Sequence, residues 1–308
     1  MPAKLILIRL VEAFFALLLM SLVVFLLSRI TGDPVALLLG DNATEADKVA
    51  MIRELGLDQS LAAQYWHFLA NALQGDFGRS VAAGREPALD LVLSRLPASL
   101  SLAAVALAST MLVGIVLGVL AAVTHGTAAD VGIRLIALIG QSVPSFWLGI
   151  VLIYLVAVQW GLLPTSGYGG PAHYVLPAAT LGLFTLAAIT RLVRASMLDA
   201  LGSEYVKLAR IKGISEAAVI WRHALSNSLI PVVTFMGTFF ATMITGAVVV
   251  ETVFAWPGIG RLAYESILSR DFPVIQAVVL VITALFILAN LLVDFLYLAI
   301  DPRMREKG

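Results

Sequence analysis

The chain has 308 residues, of which 60% are hydrophobic and only 13% are charged, and its mean hydropathy is +0.96. Soluble domains carry about 25% charged residues, so a soluble protein of this length could not bury so much apolar surface, and the bilayer must be the solvent for most of the chain. The formal net charge of zero gives a nucleic-acid partner no electrostatic support, and the lack of cysteine excludes disulfides and thiolate metal sites.

Six segments are long and apolar enough to span a bilayer, which takes about 20 helical residues. The first begins after Lys4 and Arg9 and is not followed by a small-residue cleavage pattern, so we expect a retained helix and not a signal peptide. We therefore predict an all-α integral membrane protein with six transmembrane helices. Their approximate bounds are Leu10–Leu27, Ala98–Val123, Leu135–Val158, Tyr174–Leu192, Leu229–Val250 and Val274–Leu298.

The predicted segment between the first two helices, residues 31–97, is the largest part outside the membrane. Thr44-Glu45-Ala46-Asp47 resembles a capping box and predicts a short helix. A second helix is predicted from Ser60 to Gly75, with an apolar face formed by Leu61, Tyr65, Phe68 and Leu69. Two interpretations of this segment are open, and they do not exclude each other. It would form a helical cap packed on the outer membrane surface, or a docking surface for an extracytoplasmic partner.

Two features of the second and third predicted helices concern packing. Gly114 and Gly118 form a G-x-x-x-G pair, which permits close contact between membrane helices. Pro144 lies inside the third predicted span and predicts a kink there. Such a kink would act as a hinge or as a packing feature, and the sequence leaves both interpretations open.

The fifth predicted helix carries four threonines on one face, at offsets of four, eight and eleven residues. In one interpretation each hydroxyl bonds to a backbone carbonyl one turn earlier. In the other, the threonines form a mildly polar wall beside a water-filled pathway. The candidates for the translocation path are Thr234, Thr238, Thr242 and Thr245.

The sequence has none of the common catalytic motifs. It lacks the G-x-x-x-x-G-K-[ST] phosphate loop, the H-E-x-x-H zinc helix and the G-x-S-x-G nucleophile elbow. We therefore predict no catalytic, cofactor or metal site. An ion-coupled secondary transporter needs ionisable groups near the membrane midplane, but Glu12 is expected to pair with Arg9 near one surface and Asp294 lies close to the same surface.

A basic, partly polar segment, Glu204–Pro231, interrupts the apolar chain between the fourth and fifth predicted helices. Gly213 is expected to end one helix and Ser215 to cap another that begins at Glu216. The second helix would present an apolar, aromatic tip for a partner's groove, or would lie on lipid headgroups with its tryptophan in the aromatic belt. The tip consists of Val219, Ile220 and Trp221, flanked by Glu216, Arg222 and His223.

The distribution of positive charge predicts that both termini are cytoplasmic. In that orientation the two short outer loops hold only Arg261 and Arg270. The long outer segment, where the charge rule is weak, holds six more basic residues, from Arg29 to Arg95. The cytoplasmic segments hold Lys4, Arg9, Arg134, Arg191, Arg194, Lys207, Arg210, Lys212, Arg222, Arg303, Arg305 and Lys307.

Several motifs resemble one family over essentially the whole chain. Ala209-Arg210-Ile211-Lys212-Gly213 and Arg222-His223-Ala224-Leu225-Ser226-Asn227 resemble the EAA loop of ABC-importer permeases. The resemblance is closest to the B-type permease subunit of dipeptide, oligopeptide, glutathione and nickel importers. Further similar motifs are Gly32-Asp33-Pro34, Glu54-Leu55-Gly56-Leu57-Asp58, Gly75-Asp76-Phe77-Gly78, Glu251-Thr252-Val253-Phe254, Pro257-Gly258-Ile259-Gly260 and Asp301-Pro302-Arg303.

Two positions depart from the general EAA pattern, since Lys207 replaces a glutamate and Ser226 replaces a proline. Both departures are usual for the B-type subunit. They put in doubt only the contacts assigned to those two side chains.

The resemblance implies a type I ABC-importer permease (MetI-like) core and an ATPase-coupling loop at about residues 193–228. The implied division is 1–30 for the cytoplasmic N-terminus and first helix, 31–97 for the extracytoplasmic helical segment, and 98–308 for a five-helix core. The implied coupling residues are Ala209, Arg210, Lys212, Gly213, Glu216, Trp221, Arg222 and His223.

The resemblance also implies a non-catalytic, multi-pass subunit in a bacterial inner membrane, in contact with membrane lipid and without a cofactor. Its implied partners are a homologous C-type permease, two cytoplasmic ATP-binding subunits and an extracytoplasmic substrate-binding protein. The substrate class extends from peptides to glutathione and nickel chelates. An ion-coupled secondary transporter and a non-transporting scaffold are the alternative functions.

Overall fold

The computed structural model describes residues 3–30, 39, 44–54 and 56–300, with the backbone alone at 3–6, 54, 234, 236, 241, 245 and 293–300. Gly32-Asp33-Pro34, Asp301-Pro302-Arg303 and the side chains of Thr234, Thr245 and Asp294 lie outside the described residues. In the described part the helices are α1 Ala3–Ile30, α2 Glu45–Glu54, α3 Leu61–Leu73, α4 Ala88–Val123, α5 Ala128–Ser142, α6 Ser145–Leu152, α7 Ala172–Gly202, α8 Glu204–Ile211, α9 Glu216–Ala218, α10 Leu225–Val253, α11 Ile259–Leu268 and α12 Phe272–Ile300.

The predicted all-α architecture is confirmed for the described residues. Helix α6 continues as π-helical turns over Ile153–Gln159, and α9 continues as π-helical turns over Val219–Ala224 into α10. Four helical segments are long and apolar enough to span a membrane, and the number rises to six if each of two bent pairs is one span. The four are Leu7–Ile30, Ala88–Val123, Ala172–Gly202 and Phe272–Leu292.

The third predicted span, Leu135–Val158, is divided into two helices and is not a single kinked one. Helices α5 and α6 diverge by 107°, and the joint between them consists of Val143 and Pro144. Val143 has extended backbone angles, φ −85° and ψ 125°, because a following proline disfavours the helical region. The predicted kink at Pro144 is therefore a complete break in the helix.

Other helices extend beyond their apolar segments. Helix α4 begins at Ala88, ten residues before the predicted start at Ala98, and runs through Pro97. Helix α10 ends at Val253 and so includes Glu251, which is fully buried and accepts a hydrogen bond of 2.6 Å from the Ser99 hydroxyl. Polar residues at helix ends lower the hydropathy of the segment without ending the backbone ladder, so apolar length underestimates helix length.

Contacts divide the chain into two compact units, and the first contains the described residues within Met1–Pro97 and Gly258–Leu288. Its core is formed by residues of α4, α11 and α12, namely Ala88, Val92, Ile259, Val274, Ala277 and Val278. The buried Asp271 carboxylate accepts hydrogen bonds from the Ser80 hydroxyl and from the backbone N–H groups of Val81 at 3.0 Å and Ala82 at 3.1 Å. This carboxylate fixes the turn that precedes α4.

The predicted helix starts in the outer segment are confirmed at atomic detail. The Thr44 backbone N–H donates to Asp47 Oδ2 at 3.0 Å, and the Asp47 N–H donates to Thr44 Oγ1 at 3.2 Å, which is a reciprocal capping box. The Ala63 N–H donates to Ser60 Oγ at 3.3 Å and caps α3. Gly75 follows the end of α3 with φ +81°.

The second unit contains the described residues within Ala98–Pro257 and Ala289–Lys307. Helices α4 and α7 approach closely in it, because methyl groups added at Gly114 and Gly118 would lie 2.8 Å from Ile189 Cγ2 and 2.6 Å from Val193 Cβ. The glycine pair thus makes the helix contact that its spacing permits. One buried cluster beside this contact joins α4, α7, α8, the π-helical turns and α10 through Val119, Val193, Val206, Val219 and Val232.

Candidate functional site

The turn between α8 and α9 ends one helix with a specific hydrogen-bond pattern. The Gly213 N–H donates to the Arg210 carbonyl at 3.0 Å, and the Ile214 N–H donates to the Ala209 carbonyl at 3.2 Å. These are the two bonds of a Schellman motif, and they require a left-handed residue after the helix. Gly213 has φ +76° and supplies that conformation without the steric cost of a side chain.

An ion pair bridges this turn. Arg210 Nη2 lies 2.6 Å from Glu216 Oε1, and Arg210 Nε lies 3.1 Å from Glu216 Oε2, so the guanidinium binds the carboxylate in a bidentate manner. The carboxylate raises the pKa of the Arg210 guanidinium. Both side chains are about half exposed, and exposed pairs contribute only about 0.2–1 kcal/mol. The pair therefore orients the turn, while Gly213 and the buried side chains hold it in place.

The predicted coupling residues have different degrees of exposure. Ala209 is buried against the helices beneath α8, whereas Arg210, Lys212, Gly213, Glu216, Trp221 and Arg222 are exposed and His223 is partly buried. The predicted apolar tip is wrong in one residue, because Val219 is fully buried and Trp221 is the large exposed side chain, with 49% of its surface accessible. Ser215 occupies the N-cap position of α9, but its hydroxyl makes no capping hydrogen bond.

An exposed apolar stripe on α8 was not identified as a site from the sequence. Tyr205, Leu208 and Ile211 occur at three-residue spacing and are 41%, 55% and 81% exposed. Val206 and Ala209 on the same helix are buried. The spacing was visible in the sequence, but the assignment of Val206 and Ala209 to the buried side required the position of α8 on its neighbours.

A cleft in the second unit is lined by residues from α5, α6, α7 and α10. Its volume is about 260 Å³. Its polar lining includes Ser145 at the start of α6, Thr180 and Thr185 on α7, and Thr242 on α10. The break between α5 and α6 borders it, since Gly140 and Val143 are also lining residues. The cleft therefore combines hydroxyl groups with an interrupted helix backbone.

Of the four threonines in the predicted stripe, the structure describes the side chains of Thr238 and Thr242. Thr242 lines this cleft, and its Oγ1 donates to the Thr238 carbonyl at 2.7 Å. Thr238 is exposed. The two interpretations of the stripe are therefore compatible at Thr242, because a hydroxyl that bonds to its own helix still presents an oxygen to the cleft.

A buried carboxylate cluster in the second unit has no counterpart in the sequence interpretation. Asp130, in the first turn of α5, is 1% exposed, and Arg194 Nε and Nη2 donate to it at 2.8 Å each. Arg134 Nε lies 3.3 Å from it and the Gly126 N–H donates at 3.2 Å. The sequence offers Arg134 as a partner of Asp130, because it follows four residues later on the same helix. It does not reveal Arg194, which is 64 residues away.

The described residues contain no candidate metal site. Within residues 3–30, 39, 44–54 and 56–300, no three His, Cys, Asp or Glu side chains form a group that could hold a metal ion. Two candidate functional sites result. One is the surface of the α8–α9 turn, and the other is the cleft lined by Thr180, Thr185 and Thr242.

Comparison with protein families gives two matches that together cover most of the chain. Residues 114–306 match the family of binding-protein-dependent transport system inner membrane components. Residues 3–103 match the N-terminal region of binding-protein-dependent transport system membrane components.

Characterised relatives extend over nearly the same length. The chain is 43% identical over 293 residues to the glutathione transport system permease protein GsiC of Escherichia coli strain K12, covering 94% of this chain and 95% of the relative. The same values hold for GsiC of Shigella dysenteriae serotype 1.

Two solved structures share the fold at low sequence identity. The inward-facing MetNI methionine ABC transporter matches with a TM-score of 0.58 at 20% identity, covering 68% of this chain and 96% of that chain. An amino acid ABC transporter crystallised with histidines matches with a TM-score of 0.53 at 16% identity, covering 68% and 93% respectively.

Proposed function

We propose a coupling role for the α8–α9 turn, given that this chain belongs to the family of binding-protein-dependent transport system inner membrane components and is a permease subunit of an ABC importer in the inner membrane. In this proposal the turn is the surface through which a separate ATPase drives transport. The observation that carries this proposal is the exposed apolar stripe of Tyr205, Leu208 and Ile211, together with Trp221. Charged side chains flank the stripe, since Lys207 pairs with Glu204, Arg210 pairs with Glu216, and Lys212 is exposed. Exposed apolar residues rimmed by charge are typical of protein interfaces.

The connections of the turn support its role in energy coupling. Only Ser203 separates α8 from α7, and α9 continues through π-helical turns into α10. Helices α7 and α10 carry Thr180, Thr185 and Thr242, which line the cleft. A displacement of the turn by the ATPase would therefore move two walls of the cleft together. Transport then follows from the different affinities of the closed and open ATPase for the two positions of the turn.

We propose that the substrate is glutathione or a related short peptide, since the chain is 43% identical to permeases named for glutathione. The proposed assembly contains a homologous C-type permease, two cytoplasmic ATPase subunits and an extracytoplasmic binding protein. The cleft is the part of the pathway that this chain contributes. The distribution of positive charge supports an orientation with both termini in the cytoplasm and six spans.

The turn can be tested by substitutions at Gly213. No atom outside its own chain neighbours lies within 4 Å of a methyl group placed there, so the start of an added side chain meets open space on this subunit. We expect Gly213→Phe to reduce substrate-stimulated ATP hydrolysis of the assembled importer at least about tenfold, equivalent to about 1.4 kcal/mol. Insertion into the membrane should be unchanged.

Two variants separate bulk from backbone strain. Gly213→Asn retains a residue that tolerates the left-handed conformation and still adds a side chain, so its loss of coupling reports bulk at the interface. Gly161→Phe is the matched control, because Gly161 also has a positive φ, +62°, with nothing within 4 Å. Full coupling in Gly213→Phe, or an equal loss in Gly161→Phe, would contradict the assignment of the ATPase contact to this turn.

A further inference from the structure

Helix α3, which the sequence predicts to lie outside the membrane, contacts α1 within the stretch of α1 that is apolar enough to span a membrane. The Tyr65 hydroxyl lies 2.8 Å from Ser21 Oγ and donates to the Leu18 carbonyl at 3.3 Å. The rings of Tyr65 and Phe68 lie 5.4 Å and 5.7 Å from the ring of Phe25, measured between centroids. All these residues belong to the first compact unit.

The charges of α1 set this depth. Arg9 and Glu12 pair at one end, Arg29 lies at the other, and residues 13–28 between them carry no charge. At a rise of 1.5 Å per residue this uncharged stretch is about 24 Å long, which is shorter than a hydrocarbon core of about 30 Å. The whole stretch is therefore short enough to lie within hydrocarbon. Phe25 and Ser21 precede Arg29 by about 6 Å and 12 Å along the helix axis.

The composition of α3 fits this depth and that of its neighbour does not. Helix α3 has 13 residues and none is charged. Helix α2 has 10 residues, five of which are charged: Glu45, Asp47, Lys48, Arg53 and Glu54. Charged side chains are costly in hydrocarbon, so α2 is suited to water, whereas α3 has no charged side chain that would oppose its immersion.

Three faces of α3 have different chemistry. Tyr65 and Phe68 lie on the face toward α1. Trp66 and Leu73, seven residues apart and hence on one face, are 68% and 82% exposed. A third face carries His67, Asn71 and Gln74 at the spacing i, i+4, i+7, and all three are exposed. An uncharged helix with one apolar and one polar exposed face is suited to the boundary between hydrocarbon and headgroups.

We propose that α3 is embedded in the lipid leaflet at the carboxyl end of α1, with Trp66 and Leu73 in contact with acyl chains and with His67, Asn71 and Gln74 at the headgroups. In the proposed orientation this is the outer leaflet. The contact of α3 with lipid does not depend on that orientation. Helix α1 also exposes apolar side chains, among them Leu19, which is 61% exposed. The hydrogen bonds of the Tyr65 hydroxyl to Ser21 and Leu18 satisfy its polar atom within the hydrocarbon.

The absence of cysteine from the chain allows a direct test with single spin labels on the assembled importer in phospholipid nanodiscs. The variants are Trp66→Cys and Leu73→Cys on the apolar face, and His67→Cys and Asn71→Cys on the polar face. Leu19→Cys is the lipid control and Ala83→Cys, in the exposed turn before α4, is the water control. Collisions with oxygen, which partitions into lipid, and with water-soluble chromium(III) oxalate are measured for each label.

We expect the oxygen-to-chromium accessibility ratio at positions 66 and 73 to match that of Leu19→Cys and to exceed that of Ala83→Cys several-fold. Labels at positions 67 and 71 should be several-fold more accessible to chromium than their neighbours at 66 and 73. Chromium accessibility at both 66 and 73 would overturn the proposal in favour of an aqueous docking face. Inaccessibility of both positions to both reagents would overturn it in favour of a covering protein. Since positions 66 and 73 are exposed, substrate-stimulated ATP hydrolysis should be retained and confirms that each variant is folded.

Discussion

At the scale of single residues, the pairing of Asp130 with Arg194 joins two charged side chains that are distant in the sequence. Asp130 is 1% exposed and Arg194 is 17% exposed, and two hydrogen bonds of 2.8 Å join them. Removal of Arg194 would leave the Asp130 carboxylate with only the longer contacts of His125, Arg134 and the Gly126 N–H, and a charge that loses its main partner destabilises the fold. This pair ties the start of α5 to α7, the helix that leads into the α8–α9 turn.

We therefore predict that Arg194→Met lowers the free energy of unfolding, because it removes both 2.8 Å hydrogen bonds to Asp130. Arg134→Met is the matched control, because Arg134 contacts the same carboxylate at a single distance of 3.3 Å and is 50% exposed. Its expected loss is below about 1 kcal/mol. Equilibrium unfolding in mixed detergent micelles measures both variants, and equal losses would contradict the assignment.

Residues were predictable from the sequence where their partners are close in the chain. Thr44 and Asp47, Ser60, and Gly213 each act within a few residues, and the structure has the predicted caps and helix end. Asp130 and Asp271 were not predictable as buried groups, because Arg194 and Ser80 are separated from them by 64 and 191 residues. A single sequence does not show which residues so far apart in the chain are in contact.

At the scale of helices, the contact of α4 with α7 depends on glycine. A methyl group at Gly118 would lie within 3 Å of Val193 Cβ, Val193 Cγ1 and the Thr190 carbonyl oxygen. Backbone and β-branched side chains cannot move aside cheaply, and overpacking of this kind costs about 1–3 kcal/mol.

We predict that Gly118→Ala destabilises the protein by about 2 kcal/mol. Gly132→Ala is the matched control in α5, since a methyl group there meets nothing within 4 Å and alanine favours a helix over glycine by about 1 kcal/mol. Gly132→Ala should therefore be neutral or stabilising. The same unfolding assay compares them, and the prediction fails if Gly118→Ala is as stable as Gly132→Ala.

Helix positions were predicted well and helix continuity was not. Apolar segments located α1, α4, α7, α10 and α12, because each contains a stretch that only a bilayer can bury. At Val143 and Pro144 the sequence predicts a kink, whereas the structure has a complete break. A proline limits local backbone angles but does not fix the angle between the helices on either side of it. That angle of 107° depends on the packing of α5 and α6 against α7 and α10.

At the scale of the whole molecule, the chain is one component of an importer and has no phosphate loop of its own. We predict that affinity purification of this permease, from cells that make all components of the transport system, recovers an ATPase in stoichiometric amount. Purification of Gly213→Phe under the same conditions should recover less of it. Isolation of the unaltered permease without any ATPase would contradict the proposed assembly.

The substrate can be tested in the same preparation after addition of the binding protein. We expect reduced glutathione or short peptides to stimulate ATP hydrolysis in phospholipid nanodiscs, and free nickel ions to have no effect. Stimulation by nickel alone would contradict the proposed substrate class while leaving the coupling role of the α8–α9 turn intact.

The close approach of α4 and α7 also has a mechanical consequence. At Gly114 and Gly118 the backbone of α4 rests directly against side chains of α7, so no flexible layer lies between the two helices to absorb displacement. Helix α7 reaches Gly202, one residue before α8 begins. We therefore expect a force applied to α8 to reach α4 through α7, the helix whose residues Thr180 and Thr185 line the cleft.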